Sequence, residues 1–328
     1  MMNGDSSVVS AQLPATSRPG VLDVQGITVR FGGLTALDDV SLTAEARQVT
    51  GIIGPNGAGK TTLLNVLCGF VRPQSGTISF DGQPLSRLRP HKLAGLSIAR
   101  TLQGSSLFGG LTVIENVMAG ASSKGRRGFW SALIGAPWSD SDERALRQRA
   151  MTALERMGVA DIANDMPSAL AHGPRKRVAM ARALASDPKL LLLDEPASGL
   201  NESELPGLGD LICELATQTT VVVIEHRMDL MMSICERIYV LDFGRVISSG
   251  TPDQIQADPA VTAAYLGAEG VQGTDEMRTA LGLTGSAPAA GVKSPETGEQ
   301  PQQPARQPPE AAEQPQETGA QPQEAGDE

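Results

Sequence analysis

The sequence lacks most of what would place it outside a globular α/β class. It has three cysteines in 328 residues, Cys68, Cys213 and Cys235, scattered and without C-x-x-C spacing. Neither a zinc site nor a disulfide framework is expected, and the three read as core fillers in a reducing cytoplasm. Excess positive charge is also lacking: net charge is −10. Val271–Glu328 holds three basic and ten acidic residues, a net of −7 that leaves −3 on residues 1–270. A binder that displaces counterions from nucleic acid needs a Lys/Arg surplus, so nucleic acid is not an expected partner. No apolar run approaches the ~18 residues of a membrane span. The densest, Leu190–Leu193 and Val221–Ile224, are strand-sized. Met1–Gly20 shows no basic segment followed by an apolar one, so it is not read as a secretory signal.

What is present is an alternation of strand and helix patterns. Residues 22–31 alternate as a strand, and 35–53 read as a strand pair ending in Val49-Thr-Gly-Ile-Ile53. A helix is expected from Lys60 to about Cys68. Leu146, Ala150, Leu154 and Met157 share one face of a helix over 141–157, capped by Ser139 or Asp140 and ended by Gly158. Further helices are expected from Pro174 to about Ala185, over 202–216 and over 228–236. Strands are expected at 189–193 and 220–225, with a hairpin at 237–249 turning at Asp242-Phe243-Gly244. Continuous apolar strands such as Leu190–Leu193 are buried on both faces of a parallel sheet. The fold class is therefore α/β with a mostly parallel central sheet. From Thr284 to Glu328 there are eight Pro, eight Gln and no aromatic, a composition that cannot offset its ordering entropy.

Two motifs carry chemistry. Gly54-Pro55-Asn56-Gly57-Ala58-Gly59-Lys60-Thr61-Thr62 fits G-x-x-x-x-G-K-[ST] between a strand and a helix. Glycines let backbone N–H groups wrap phosphates, Lys60 reaches the β/γ oxygens, and the Thr61 hydroxyl suits Mg2+. Asp194 and Glu195 end a buried strand, where open α/β sheets bind ligands. Asp194 suits Mg2+, and Glu195 suits the orientation or deprotonation of an attacking water.

These motifs, in this order, resemble the ATP-binding subunit of an ABC transporter over about Val21–Gly267. The resemblance implies a P-loop NTPase fold of the ABC type, with an antiparallel β subdomain and a helical signature subdomain. Its implied domains are a disordered leader at 1–20, the cassette at 21–267 with its helical subdomain and insertion at about 104–185, and an acidic Pro/Gln-rich disordered tail at 268–328. Implied cofactors are ATP and Mg2+. Phe31 matches the aromatic that stacks on adenine, the alternative being a core strand residue. Gln103, in Ala99-Arg-Thr-Leu-Gln103, matches the glutamine that touches Mg2+ and senses the membrane domain. Leu170-Ala171-His172-Gly173-Pro174 matches the signature. Asn201 matches the loop that crosses the dimer interface, and His226 matches the switch histidine that contacts the γ-phosphate. Catalytic roles thus fall to Glu195, His226, Lys60 and Gln103, and metal contacts to Thr61, Gln103 and Asp194.

Phe31-Gly-Gly-Leu-Thr-Ala-Leu, Ile98-Ala-Arg-Thr-Leu-Gln, Pro196-Ala-Ser-Gly-Leu-Asn and Thr251-Pro-Asp-Gln-Ile with Ala264-Tyr-Leu-Gly267 are similar to the branched-chain amino acid importer ATPases. The implied partners are membrane permease subunits, a second ATPase subunit and, indirectly, a solute-binding protein, at the cytoplasmic face of the membrane. The alternatives are an exporter ATPase of the lipopolysaccharide-export type, a soluble ABC protein, and a regulatory half that barely hydrolyses ATP.

The signature departs from the family's usual Leu-Ser-Gly-Gly-Gln. Ala171 lacks the serine hydroxyl that would bond the γ-phosphate across the dimer. Pro174 is expected at the first helical position. A lost charge-assisted hydrogen bond of ~1.5–3 kcal/mol predicts weaker or asymmetric hydrolysis, as in a heterodimer whose other subunit has a complete signature. Residues 121–149 hold Trp130 and Trp138 beside Lys124, Arg126 and Arg127. This segment reads either as a solvated loop or as one lying against a membrane interface.

Overall fold

The computed structural model describes residues 20–86, 88–101, 107–121 and 140–268. The leader, Gln103, Trp130, Trp138 and the acidic tail lie outside the described residues. The described residues all belong to one compact unit, within Met1–Thr284.

Two sheets share the fold. β1 (Leu22–Phe31), β2 (Leu34–Ala44), β4 (Ser75–Phe80) and β5 (Gln83–Pro84) form an antiparallel sheet in the order β2-β1-β4-β5. The second sheet has six strands in the order β10-β9-β3-β8-β7-β6. They are β3 (Val49–Ile53), β6 (Ile98–Arg100), β7 (Leu190–Asp194), β8 (Thr220–Ile224), β9 (Arg237–Asp242) and β10 (Arg245–Gly250). All its pairings are parallel except the β9–β10 hairpin. That hairpin turns on Phe243 and Gly244, both at positive φ (42° and 78°), which suits the right-handed twist of the strands.

β3, β7 and β8 are buried along their whole length because the sheet is covered on both faces. Along β7 the leucines alternate between two cores. Leu191 and Leu193 join the helical side, whereas Leu190 and Leu192 join α1 (Lys60–Leu67) and the antiparallel sheet. Polar links cross between the sheets: Tyr239 Oη accepts from Thr43 N (3.0 Å) and donates to Thr43 O (3.2 Å), and Arg245 of β10 pairs with Asp38 of β2.

The helical side begins with α2 (Val113–Ala121), α3 (Asp140–Arg156) and α4 (His172–Leu184). Ala150, Leu154 and Met157 are buried on one face as their spacing predicts, and Gly158 ends α3 at φ 63°. α5 (Leu205–Ala216), α6 (Met228–Ile234), α7 (Pro252–Ala257) and α8 (Pro259–Ala268) complete the order. The fold is α/β, as its alternating pattern predicts.

Three expectations need correction. α4 starts at His172, so Pro174 is the third helical residue, not the first. The N–H groups of the whole first turn lack intrahelical partners, so proline costs no hydrogen bond there. The helix expected over 202–216 is a short 3-10 turn at Glu202–Glu204 followed by α5, with Pro206 fixing the α-helical start. Of the cysteines, Cys68 and Cys235 are buried fillers, but Cys213 is exposed.

Candidate functional site

The register of the parallel strands gathers the site at one sheet edge. Ile52 of β3 pairs with Ile224 of β8, and Asp194 of β7 pairs with Ile224 from the other side. The loop after β3, the acidic pair after β7 and the segment after β8 therefore emerge side by side.

The Gly54–Gly59 loop is shaped by close backbone approach. A Cβ on Gly54 (φ 152°) would lie 2.1 Å from the Leu241 carbonyl oxygen, and one on Gly59 (φ 103°) 2.7 Å from that of Ala36. The Gly244 N–H donates to Ala58 O (2.9 Å), tying the loop to the β9–β10 turn. α1 then begins at Lys60, placing free first-turn N–H groups beside the loop. Lys60 Nζ donates to the carbonyls of Gly54 (2.6 Å) and Pro55 (2.8 Å). Burial lowers its pKa, against the raising charges of Glu195 and Glu225. Thr61 is exposed on the first turn of α1 and Thr62 is half-buried. Phe31 ends β1 with 51% exposure, so it is not a core residue.

Asp194 is 4% exposed in its side chain and receives Arg100 Nη2 at 2.9 Å. Arg100 also donates to Asn65 Oδ1 (3.1 Å) and lies over the Phe70 ring. Burial, partly offset by the Arg100 charge, pushes the neighbouring Cys68 thiol up to about 11. Glu195 sits at φ 46°, a strained conformation for a residue with a side chain, costing of order 1–3 kcal/mol. Its N–H donates to Ile224 O (2.8 Å), and its carbonyl accepts from Lys176 Nζ of α4 (3.0 Å). The same Nζ donates to Pro196 O (3.0 Å).

Glu225, just past β8, is fully buried. Its Oε1 lies 2.9 Å from His226 Nδ1 and also accepts the His226 backbone N–H (2.9 Å). Its Oε2 accepts the Ala197 N–H (2.9 Å). Burial pushes its pKa up, but the bonds from His226 and Ala197 outweigh that, and the net shift is downward. The His226 pKa is raised chiefly by its hydrogen bond to Glu225, against the opposing effect of burial. Glu195 adds to the rise and Lys60 opposes it. Lys60, Glu195, Glu225 and His226 thus share one electrostatic site.

Ala171 is the exposed N-cap of α4 and makes no side-chain capping bond. His172 Nε2 lies 3.1 Å from Ser198 O. A Cβ on Gly173 would lie 2.7 Å from Glu204 Oε1. The signature segment therefore packs against Ser198–Glu204 of its own chain. Asn201 precedes the 3-10 turn there, its N–H donating to Glu204 Oε2 (2.9 Å).

Hard oxygen donors suit Mg2+, which takes one or two protein ligands beside phosphate oxygens and waters. The Thr61 hydroxyl and the Asp194 carboxylate are of that kind, and no cluster of three His, Cys, Asp or Glu occurs among the described residues. The donor set fits an ion bound together with a nucleotide rather than one caged by protein alone.

A phosphate loop, a strand-end acidic pair and a helical signature segment on one α/β core define a nucleotide-hydrolysing cassette, and comparison with known proteins agrees. Residues 37–198 match the ABC transporter family model, and 245–271 match that of the branched-chain amino acid ATP-binding cassette transporter. The chain belongs to the ATP-binding proteins of ABC transporters, and it is an ABC ATPase. It is 42% identical over 249 residues to the high-affinity branched-chain amino acid transport ATP-binding protein LivG of Salmonella typhimurium, covering 75% of this chain and 98% of that one. It is 33% identical over 248 residues to the lipopolysaccharide export system ATP-binding protein LptB of Haemophilus influenzae, covering 75% and 97%. Among solved structures, the ADP conformation of MJ1267, an ATP-binding cassette, matches with a TM-score of 0.66 and 30% identity over 76% of this chain and 99% of that one. The dimeric MJ0796 cassette bound to ADP and Pi matches with a TM-score of 0.60 and 27% identity, covering 70% and 98%.

Sequence reasoning passed over Arg100, Lys176 and Glu225. Arg100 lies within a segment read for its glutamine, and Lys176 within a helix read for its N-terminus. Glu225 had a visible signal, a charge closing an otherwise apolar strand.

Proposed function

We propose that this chain powers uptake of branched-chain or other hydrophobic amino acids through a membrane permease pair. The observation that carries it is the likeness to LivG, at 42% identity over nearly all of that protein, against 33% for LptB. The match of residues 245–271 to the branched-chain amino acid ATP-binding cassette transporter family model supports the same subclass.

In this reading the Gly54–Thr62 loop and the α1 N-terminus bind the ATP phosphates, Lys60 meets the β/γ oxygens, and Phe31 stacks on adenine. Thr61, Asp194 and Gln103 would hold Mg2+, which would neutralise phosphate charge. Glu195 takes a proton from a water whose oxygen attacks the γ-phosphorus. The bond to the bridging oxygen breaks, leaving ADP and phosphate. His226 contacts the γ-phosphate. The chain would pair with a second cassette, a reading supported by the dimeric state of the MJ0796 relative, and that cassette's signature segment, through Ala171 and Gly173 or their counterparts, would close over the nucleotide. Permease subunits would engage near Gln103, holding the chain at the cytoplasmic face of the membrane, with a solute-binding protein delivering cargo. No helix among the described residues is long and apolar enough to cross a membrane.

The experiment is reconstitution of the chain, in vesicles, with the permease pair, second cassette and solute-binding protein that co-purify with it from native membranes. ATP-driven accumulation of labelled leucine is expected. ATP-dependent outward movement of lipid, with no leucine uptake, would replace this reading with the export one.

A further inference from the structure

Glu225 is the most thoroughly bonded carboxylate among the described residues, and the phosphate chemistry above makes no use of it. A carboxylate is expensive to bury unless its lone pairs are taken up. Here three backbone N–H groups and one ring nitrogen point at it: Ala197 N (2.9 Å), His226 N (2.9 Å), Arg227 N (3.4 Å) and His226 Nδ1 (2.9 Å). Those donors come from two separate segments. His226 and Arg227 follow β8, whereas Ala197 lies in the turn just after Glu195.

The ring geometry has a chemical consequence. A nitrogen 2.9 Å from a carboxylate oxygen carries a proton, so Nδ1 is N–H. A neutral ring with its proton on Nδ1 has a bare lone pair on Nε2. That lone pair would repel a phosphate oxygen. Only the imidazolium donates from both nitrogens, and an adjacent buried carboxylate favours it. The remaining charges around the ring are Glu195, which also favours the cation, and Lys60, which opposes it. Lys176 from α4 faces both glutamates. Arg227, beside the ring, is paired with Asp229 at 3.2 Å. The His226 side chain is 57% exposed, so Nε2 is accessible to a bound nucleotide.

We propose that Glu225 is a positioning residue for ATP hydrolysis: it holds His226 by Nδ1 as a doubly protonated ring and, through the Ala197 N–H, locks that ring to the turn carrying Glu195. The phosphate-contacting group and the water-activating group would then move as one unit. The inference rests on the reading that His226 meets the γ-phosphate.

The test uses the full-length chain and its Glu225→Gln and His226→Gln variants, with steady-state hydrolysis measured from about pH 6 to about pH 9. With Glu225→Gln, kcat is expected to fall about tenfold or more at the alkaline end, while KM for ATP stays within about threefold. Activity should recover toward low pH, where the ring protonates unaided. A loss equal at every pH, or no loss, overturns the proposal. His226→Gln separates the two readings. If it retains wild-type hydrolysis, the phosphate-contact reading falls and the proposal with it. If it abolishes hydrolysis while ATP binding survives, and Glu225→Gln does nothing, only the proposal falls. Should Glu225→Gln fail to fold, the wild-type chain still decides. It has three histidines, so 15N-histidine spectra show three rings, and His226 is the one missing in His226→Gln. Protonation at both nitrogens persisting above the range of ordinary histidine is expected. Titration at or below that range overturns the proposal.

Discussion

At the residue scale, the charged groups at the nucleotide edge range from the buried Arg100–Asp194 pair to the exposed His226 ring, so each substitution has a distinct signature. Arg100 and Asp194 are 11% and 4% exposed in their side chains. Removing one partner of such a pair leaves an uncompensated charge, at a cost of about 3–5 kcal/mol. Arg100→Met should therefore lower Tm by roughly 6–20 °C for a domain of this size, read by calorimetry without nucleotide. Glu195→Gln removes the proposed proton acceptor but not the phosphate loop. ATP binding should persist while kcat falls by roughly 100-fold or more, measured by nucleotide fluorescence and phosphate release. Lys60→Ala should instead weaken ATP binding itself. The His226–Glu225 pair also makes stability depend on pH, through two shifts of opposite sign. The His226 pKa is raised from 6.5, so its contribution is complete below that value and lost as pH rises through the folded pKa. The Glu225 pKa is lowered from 4.5, so its contribution is complete above that value and lost as pH falls through the folded pKa. Chemical denaturation should show His226→Gln costing more stability near pH 5.5 than near pH 9.

At the scale of elements, legibility follows burial. β7 and β8 were readable because strands covered on both faces need continuous apolar runs, and the alternate leucines of β7 and alternate valines of β8 do enter opposite cores. Lys60, Asp194 and Glu195 were readable because chemistry fixes their types and spacing. The start of α4 was not, since any position of a first turn accepts proline and the sequence holds no capping side chain to mark the boundary. Arg100 and Lys176 were illegible for another reason. Their partners, Asp194 and the Glu195 and Pro196 carbonyls, are remote in sequence, so only the tertiary fold shows what they bind. The same cap yields a prediction. A serine at an N-cap accepts from a first-turn N–H and is worth ~1 kcal/mol over alanine. Ala171→Ser should raise Tm by roughly 2–4 °C in the isolated chain, whatever it does to catalysis.

At the scale of the whole molecule, that substitution also tests how two cassettes share the work. Ala171 is exposed at the tip of α4, while the phosphate loop lies at the edge of the large sheet. In a head-to-tail pair, each signature serves the partner's nucleotide. A homodimer of this chain would close both sites with a segment that has no hydroxyl, whereas a heterodimer would leave only one site so closed. If the missing hydroxyl limits hydrolysis, Ala171→Ser should raise the homodimer's kcat by about tenfold, the worth of one charge-assisted bond. Mixing the wild-type chain with a second cassette bearing a serine should give about half of that gain, because one of two sites is repaired. Equal rates for wild-type and Ala171→Ser homodimers would remove the argument for asymmetry. Gly173 and the α4 amides would then suffice to close the site, and two identical copies of this chain could drive the permease pair.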